Sequence, residues 1–341
     1  MALAKLHGWS LRPATMADLD GICDVIHAYS LDLLGVGADN RKYVILTWEQ
    51  PGFCVETDTR VAVTPEGRIV GYAEVEDTEG PHVRVMSWVR VHPDYRNSSL
   101  GGQLVSWISE RASEAKALAP DGARVSVSMG LPNEDTAMPK HLEEQGYNVI
   151  RYFLRMSIEF PEFLPEPVWP ADVLVRPFVL DNDLEAAVHA IREAFQDHWG
   201  HIDVPFEEEL EKWRHWFQND SDFDESLSSL VLVDGQIVGF SMCELRHPED
   251  PSMGIIDSLG VQREWRRRGL ATALLHRSFK ELKSRGQRRA CLGVDAESLT
   301  GAFRVYEAAG MKADRQHDVF EKELRAGTYL SLQTLDSGDS S

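Results

Sequence analysis

The spacing of apolar residues changes several times along this chain, and each change predicts an element. In the second half, Asp181-Asn-Asp-Leu184 opens a helical pattern with Asp and Asn at its start, running to about Trp199. Phe206 to Phe217 forms a second amphipathic helix. Leu230–Val233 and Ile237–Cys243 flank Asp234-Gly235, a strong signal for a hairpin. Ile255–Val261 reads as a third strand, and a long helix follows from Gly269 to about Ser284, ended by Arg285-Gly286. Ala290–Val294 is a buried strand, Thr300–Ala309 a helix closed by Gly310, and two short strands finish the series. This order predicts an α/β domain whose central sheet is mixed, mainly antiparallel and flanked by helices.

The pattern occurs twice. Arg12-Pro13 is echoed by Arg176-Pro177, Gly67-Arg-Ile-Val-Gly71 by Gly235-Gln-Ile-Val-Gly239, Val91 to Arg96 by Val261 to Arg266, and Glu143 to Gly146 by Glu307 to Gly310. Four matches in one order, at a nearly constant spacing of about 165 residues, indicate two copies of one domain. The length of 341 residues agrees. The predicted division is a first domain at 8–160, a proline-rich linker at 161–172, a second domain at 173–325 and a disordered tail at 326–341.

Composition narrows the classes. A formal net charge of −20 argues against a nucleic-acid partner, and the absence of a long apolar run argues against a membrane one. Cys23, Cys54, Cys243 and Cys291 form no C-x-x-C pair, which disfavours a disulfide framework or zinc ribbon and fits a reducing cytoplasm.

The sharpest chemical feature is the run from Leu259 to Leu275, where a strand ends, a basic loop turns at glycine and a helix begins. Such a turn aims free backbone N–H groups at one point and binds an anion. Gly269 lets the backbone approach a pyrophosphate, Ala271 keeps the next position small, and Arg263, Arg266, Arg267 and Arg268 add charge.

With Val294-Asp-Ala-Glu-Ser298 and Tyr306-Glu-Ala-Ala-Gly310 downstream, this loop resembles the GNAT acetyltransferase superfamily, whose members bind acetyl-CoA and usually acetylate amines. The family's Arg/Gln-x-x-Gly-x-Gly/Ala loop is matched by Arg266, Gly269 and Ala271. The resemblance covers residues 173 to 325 and implies an acetyl-CoA site made by Leu259, Gly260 and Val261, by Arg266, Arg267, Arg268, Gly269, Leu270, Ala271 and Thr272, and by Ser298. The backbone of Leu259 and Val261 would pair with pantetheine like an added strand. Tyr306 matches the family's tyrosine that protonates the departing thiolate or hydrogen-bonds its sulfur, and donation to a thiolate suits a phenol of pKa about 10. Asp257 and Glu244 are the alternative bases for the attacking amine. His198, Trp199 and Trp213 are candidates for the acceptor pocket; His198 and His201 have no third ligand, so no metal is expected.

The first copy departs from this pattern, with Ser99 at the loop glycine and Leu142 at the tyrosine, so turnover is not expected there. A degenerate first half before an intact second half resembles mycothiol synthase and its relatives. That group's carboxylate on the strand before the loop is displaced here, with Ile255 near its position, and the acceptor stays open. The expectation is acetyl transfer from acetyl-CoA to a primary amine of a small molecule in the second domain. The alternatives are a peptide N-acetyltransferase and a non-catalytic acetyl-CoA-binding protein.

Overall fold

The computed structural model describes residues 8–220, 222–298 and 301–334. In chain order the elements are β1 (Ser10–Arg12), α1 (Leu19–Leu34), α2 (Arg41–Glu49), α3 (Val55–Asp58), β2 (Thr59–Val63), β3 (Ile69–Glu76), β4 (Arg84–Val91), α4 (Leu100–Ala112), β5 (Val125–Pro132), α5 (Met138–Glu144) and β6 (Asn148–Glu159). The second series is β7 (Leu174–Pro177), α6 (Leu180–Phe195), α7 (Phe206–Asn219), β8 (Ser229–Val233), β9 (Gln236–Glu244), β10 (Met253–Val261), α8 (Leu270–Ser284), β11 (Arg289–Asp295), α9 (Ala302–Ala308) and β12 (Lys312–Arg325).

The chain forms two compact units, but the strands are not divided at the linker. One unit holds the residues up to Ile150 together with Asp318–Thr328; the other holds Arg151–His317 and the residues from Tyr329 on. The first unit's sheet runs β1-β2-β3-β4-β5 and is completed by the end of β12. There Arg124 donates to Glu321 at 2.6 Å and to Glu323 at 2.8 Å. The second unit's sheet runs β6-β11-β10-β9-β8-β7, with Phe153–Glu159 of β6 antiparallel to β11. Each unit therefore takes its last strand from the other repeat. The two short strands expected at the end are one strand, Lys312–Arg325.

Period-two alternation sorts the second unit's core onto two faces. Leu230, Leu232, Phe240 and Met242 meet Ala187, Ala190, Ile191 and Ala194 of α6. Their neighbours Val231 and Val238 meet Leu270 and Leu274 of α8 with Val261. Leu275, Phe279 and Leu282 of α8 continue onto Ile256, Ala290 and Leu292. Helices thus cover both faces of the sheet. In the first unit, Ile22, Val25 and Ile26 of α1 and Trp48 of α2 pack on Val61 and Tyr72.

The repeated Arg-Pro has a physical cause. Arg12 grips Asp18 with two bonds of 2.7 Å, and Arg176 grips Asp183 in the same way, tying the first strand of each series to the start of its first long helix. The Arg12 guanidinium holds Asp18 down at a pKa of about 2, against a smaller opposing effect of burial. The hairpin forms as expected, with Asp234 and Gly235 both at positive φ.

The first long helix of the second series stops at Phe195, short of Trp199, and Thr300 lies outside the described residues. Residues 326–334, expected in a disordered tail, are held by backbone bonds: Thr328 exchanges two with Gly122 and Arg124, and Leu332 exchanges two with Gly200 and His201. No helix among the described residues is long and apolar enough to cross a membrane.

Candidate active site

The site begins where two strands part. In the second unit, β10 and β11 pair in parallel only over Met253–Ile255 and Arg289–Cys291, although β10 runs on to Val261 and β11 to Asp295. From Ile256 onward that edge of β10 has no partner in β11, so its backbone can take an extended ligand. On the other edge the register with β9 slips between Ile256 and Ser258, leaving Asp257 as an extra residue. A bulge turns the side chain out of the regular alternation. This accounts for an aspartate in a central strand.

Asp257 retains accessible surface yet is crowded by protein, as at the floor of a cleft. Its pKa is raised, by burial first and then by the charge of Glu244, with partial relief from the Ser258 hydroxyl donating at 3.0 Å. Glu244 ends β9 opposite Ile255. Asp257 therefore feels the charge of Glu244, which stands directly across the strand pair from Ile255, the position near which the resemblance places a carboxylate.

Beyond β10 the chain passes through the basic loop. Gly269 is the N-cap of α8 at φ 82°, and Arg267 is also left-handed at φ 62°. A Cβ built on Gly269 meets no protein atom within 4 Å, so the space above it is open. Among the described residues, no backbone N–H from Arg267 to Thr272 has a protein acceptor, which leaves Arg267, Arg268, Gly269, Leu270, Ala271 and Thr272 as a cluster of donors at a helix N-terminus. Such a cluster has the donor set that an anion such as a pyrophosphate requires.

The arginines divide their work. Arg266 donates to Asp197 at 2.7 Å, to the Ala194 carbonyl at 3.1 Å and to the Val261 carbonyl at 3.1 Å, while Arg263 also grips Asp197. Asp197 is buried, which works against its ionisation, but the two guanidinium groups outweigh that and lower its pKa. Both side chains thus fasten the loop to the end of α6 instead of facing the anion site. Arg268 grips Asp172 and stacks 4.5 Å over Trp265. Arg267 is exposed and has no ion pair among the described residues.

Tyr306 lies in α9 with its ring in the cluster of Ile256, Leu292 and Val294, against which Leu259 also packs. It therefore stands beside both parting strands. Its hydroxyl makes no hydrogen bond to the described protein, and burial pushes its pKa up to about 12, so the proton is present at any physiological pH. Ser298 follows β11, its N–H bonded to the Asp295 carbonyl at 3.0 Å.

His198 and Trp199 lie past the end of α6. His198 has a lowered pKa, from burial and then Arg266, offset in part by Asp197 and Asp295, and is neutral at pH 7. The Trp199 ring lies 4.9 Å from the Arg151 guanidinium. Trp213 is not brought to this place; it stacks on Phe217 at 5.3 Å and joins the clusters under α6 and α7. His201 lies 3.4 Å from Asp203, and no group of three His, Cys, Asp or Glu side chains suited to a metal ion occurs among the described residues.

Two residues that hold the site together were given no role from the sequence. Arg151, from the first repeat's last strand, makes bonds of 2.8 to 3.0 Å to Asp295 and 2.6 Å to Glu297, fixing the end of β11. Asp197 anchors the loop arginines. Only the second had a signal, as the one aspartate in the run before Trp199.

The first unit shows the same frame filled in. β4 and β5 pair over Arg84–Ser87 and Ser126–Met129 and then separate, but the register of β4 with β3 has no bulge. Ser99 caps α4 in the right-handed region, at φ −71°. The Leu100 N–H, the first donor of the helix, bonds to the Ser98 hydroxyl at 3.2 Å. His141 lies so close to Gly101 that a Cβ there would come within 2.6 Å of its ring. Leu142 and Tyr306 are true counterparts: each carbonyl accepts the N–H five residues on, from Tyr147 and from Met311, at 3.0 Å.

Two units of this topology, one with a cluster of backbone donors at the mouth of its parted strands, define a tandem acetyltransferase fold. The chain belongs to the acetyltransferase (GNAT) family, whose model matches residues 24–120 in the first unit and 186–311 in the second. It is similar to the mycothiol acetyltransferase of Streptomyces griseus, 32% identical over 253 residues that cover 73% of this chain and 75% of that protein. The mycothiol acetyltransferase of Amycolatopsis mediterranei is 26% identical over 284 residues, covering 80% and 87%. Among solved structures, a GCN5-related N-acetyltransferase from Sphaerobacter thermophilus matches with a TM-score of 0.76 and 32% identity, over 96% of this chain and 98% of that one. A tandem GNAT protein from the clavulanic acid biosynthesis pathway shares the fold, with a TM-score of 0.69 at 13% identity over 94% and 100%.

Proposed function

We propose that the second unit moves the acetyl group of acetyl-CoA to a primary amine of a small molecule. The observation that carries this reading is the path from the unpaired edge of β10 to the free N–H groups around Gly269, with the Tyr306 hydroxyl beside it. Pantetheine would extend along Leu259 to Val261, and the pyrophosphate would rest on the donors of Arg267 to Thr272.

A neutral amine nitrogen attacks the thioester carbon and forms the new C–N bond. Asp257, or Glu244 across the strand pair, takes the amine's proton directly or through water. The C–S bond then breaks, and Tyr306 gives its proton to the thiolate, regaining one from solvent. A phenol that retains its proton suits this role, and a carboxylate of raised pKa is a better base than an ordinary one. His198 and Trp199 contribute to the acceptor side; Trp213 supports them through the core.

The first unit, with Ser98 and His141 at its helix start and Leu142 in place of the acid, serves as a companion domain without turnover. The mycothiol acetyltransferase relatives favour a small acceptor over a peptide.

The test is release of free CoA by the purified protein, supplied with acetyl-CoA and a panel of small amines or of peptides. Release with small amines alone supports this reading. Release with peptides alone moves the acceptor to proteins, and no release despite tight acetyl-CoA binding leaves a binding protein.

A further inference from the structure

The proline-rich segment between the repeats is not a free spacer. Lys283 donates to the carbonyls of Pro161 and Glu162 at 2.7 Å each, Lys280 pairs with Glu166, and Arg268 donates to both oxygens of Asp172 at 2.8 and 2.9 Å. The segment is strapped along α8 at both ends and in the middle. Pro165, Pro167 and Pro170 stiffen the backbone between these anchors. Between strap and helix lies a cavity of about 620 Å³, walled by Trp169 and Pro170 on one side and by Gly269, Thr272 and His276 on successive turns of α8, with Arg268 at its end.

Gly269 lines this cavity and also caps the donor cluster described above. A molecule whose pyrophosphate rests on those donors therefore has the cavity within reach of its next group. If the donor is acetyl-CoA, on which this inference rests, that group is a purine nucleoside carrying a 3′-phosphate. An indole, a proline ring and a helix face bearing a hydroxyl and an imidazole suit a flat base with polar edges. The exposed Arg267 supplies charge for the extra phosphate; Arg268 is already paired with Asp172, and Glu166 on the cavity wall is offset by Lys280.

We propose that the inter-repeat strap is a recognition element for the nucleotide end of the donor, with the adenine held on Trp169 and the 3′-phosphate at Arg267. The strap would then make the donor's nucleotide end, and not only its thioester arm, a determinant of affinity.

Calorimetric titration of the full chain tests this, using acetyl-CoA and S-acetyl-4′-phosphopantetheine, which lacks the nucleoside. Trp169→Ala should weaken acetyl-CoA binding about tenfold, as for loss of one base–aromatic stack, and Trp169→Phe should keep most of it. S-acetyl-4′-phosphopantetheine should bind the wild type and Trp169→Ala alike, which also shows that the variant is folded. Unchanged acetyl-CoA affinity in Trp169→Ala, or an equal loss for both donors, overturns the inference and leaves the acetyl-CoA reading intact. A wild type that binds neither donor overturns both.

Discussion

Replacing Gly269 by alanine isolates the ligand's demand on the loop from the protein's own. At φ 82° an L-residue costs roughly 1–2 kcal/mol in a left-handed conformation, so stability should fall by about that amount. Nothing further is lost in the free protein, because the added Cβ has no neighbour within 4 Å. On the proposed reading, that open space is where the pyrophosphate of acetyl-CoA approaches. Each charge-assisted hydrogen bond from the donor cluster is worth on the order of 1.5–3 kcal/mol, so displacing the phosphate from even one donor should raise Kd at least tenfold.

Urea unfolding gives the first quantity and calorimetric titration the second. Ser99→Gly is the matched control: its backbone is right-handed, so glycine there should cost about 0.5–1 kcal/mol and add no binding, since Ser98 and His141 still occupy the helix start. A Gly269→Ala protein with Kd within threefold of the wild type would place the phosphates elsewhere and refute the reasoning.

Tyr306→Phe should lower kcat by about 10²–10⁴-fold and change acetyl-CoA affinity less than tenfold, measured by steady-state kinetics and titration; wild-type turnover would make this tyrosine plain core. Asp257→Asn should remove the acid limb of the kcat–pH profile, a limb displaced above the ordinary carboxylate range because the folded pKa is raised. The same variant should be more stable than the wild type at neutral pH and equal to it near pH 3, because the desolvated charge is a cost only once the carboxyl ionises; unfolding at both pH values checks this. Asp18→Asn should cost about 2 kcal/mol at pH 7, a difference that fades as the pH falls from about 4 through 2, since the depressed pKa stabilises only the ionised form.

The order of elements, the repeat and the loop were legible in the sequence because they rest on local rules: side-chain period, Asp-Gly turn chemistry, and glycine where a chain must turn left-handed before a helix. The degeneration of the first copy was legible for the same reason, since Ser99 and Leu142 are single-residue departures from a local pattern. Only the tertiary structure decided the rest. Arg151 reaches the second unit because the last strand of each repeat completes the other unit's sheet, and strand exchange leaves no trace in periodicity, which reports the face of a strand and not its neighbour. The loop arginines were read as anion ligands from their charge and, for Arg266 to Arg268, from the resemblance of the loop; that Arg263 and Arg266 are spent on Asp197 depends on a buried carboxylate just past the end of another helix. The proline-rich segment read as a spacer because prolines forbid regular structure, yet its lysine and arginine anchors lie 96 to 122 residues further along the chain, and contacts at that separation are set by packing.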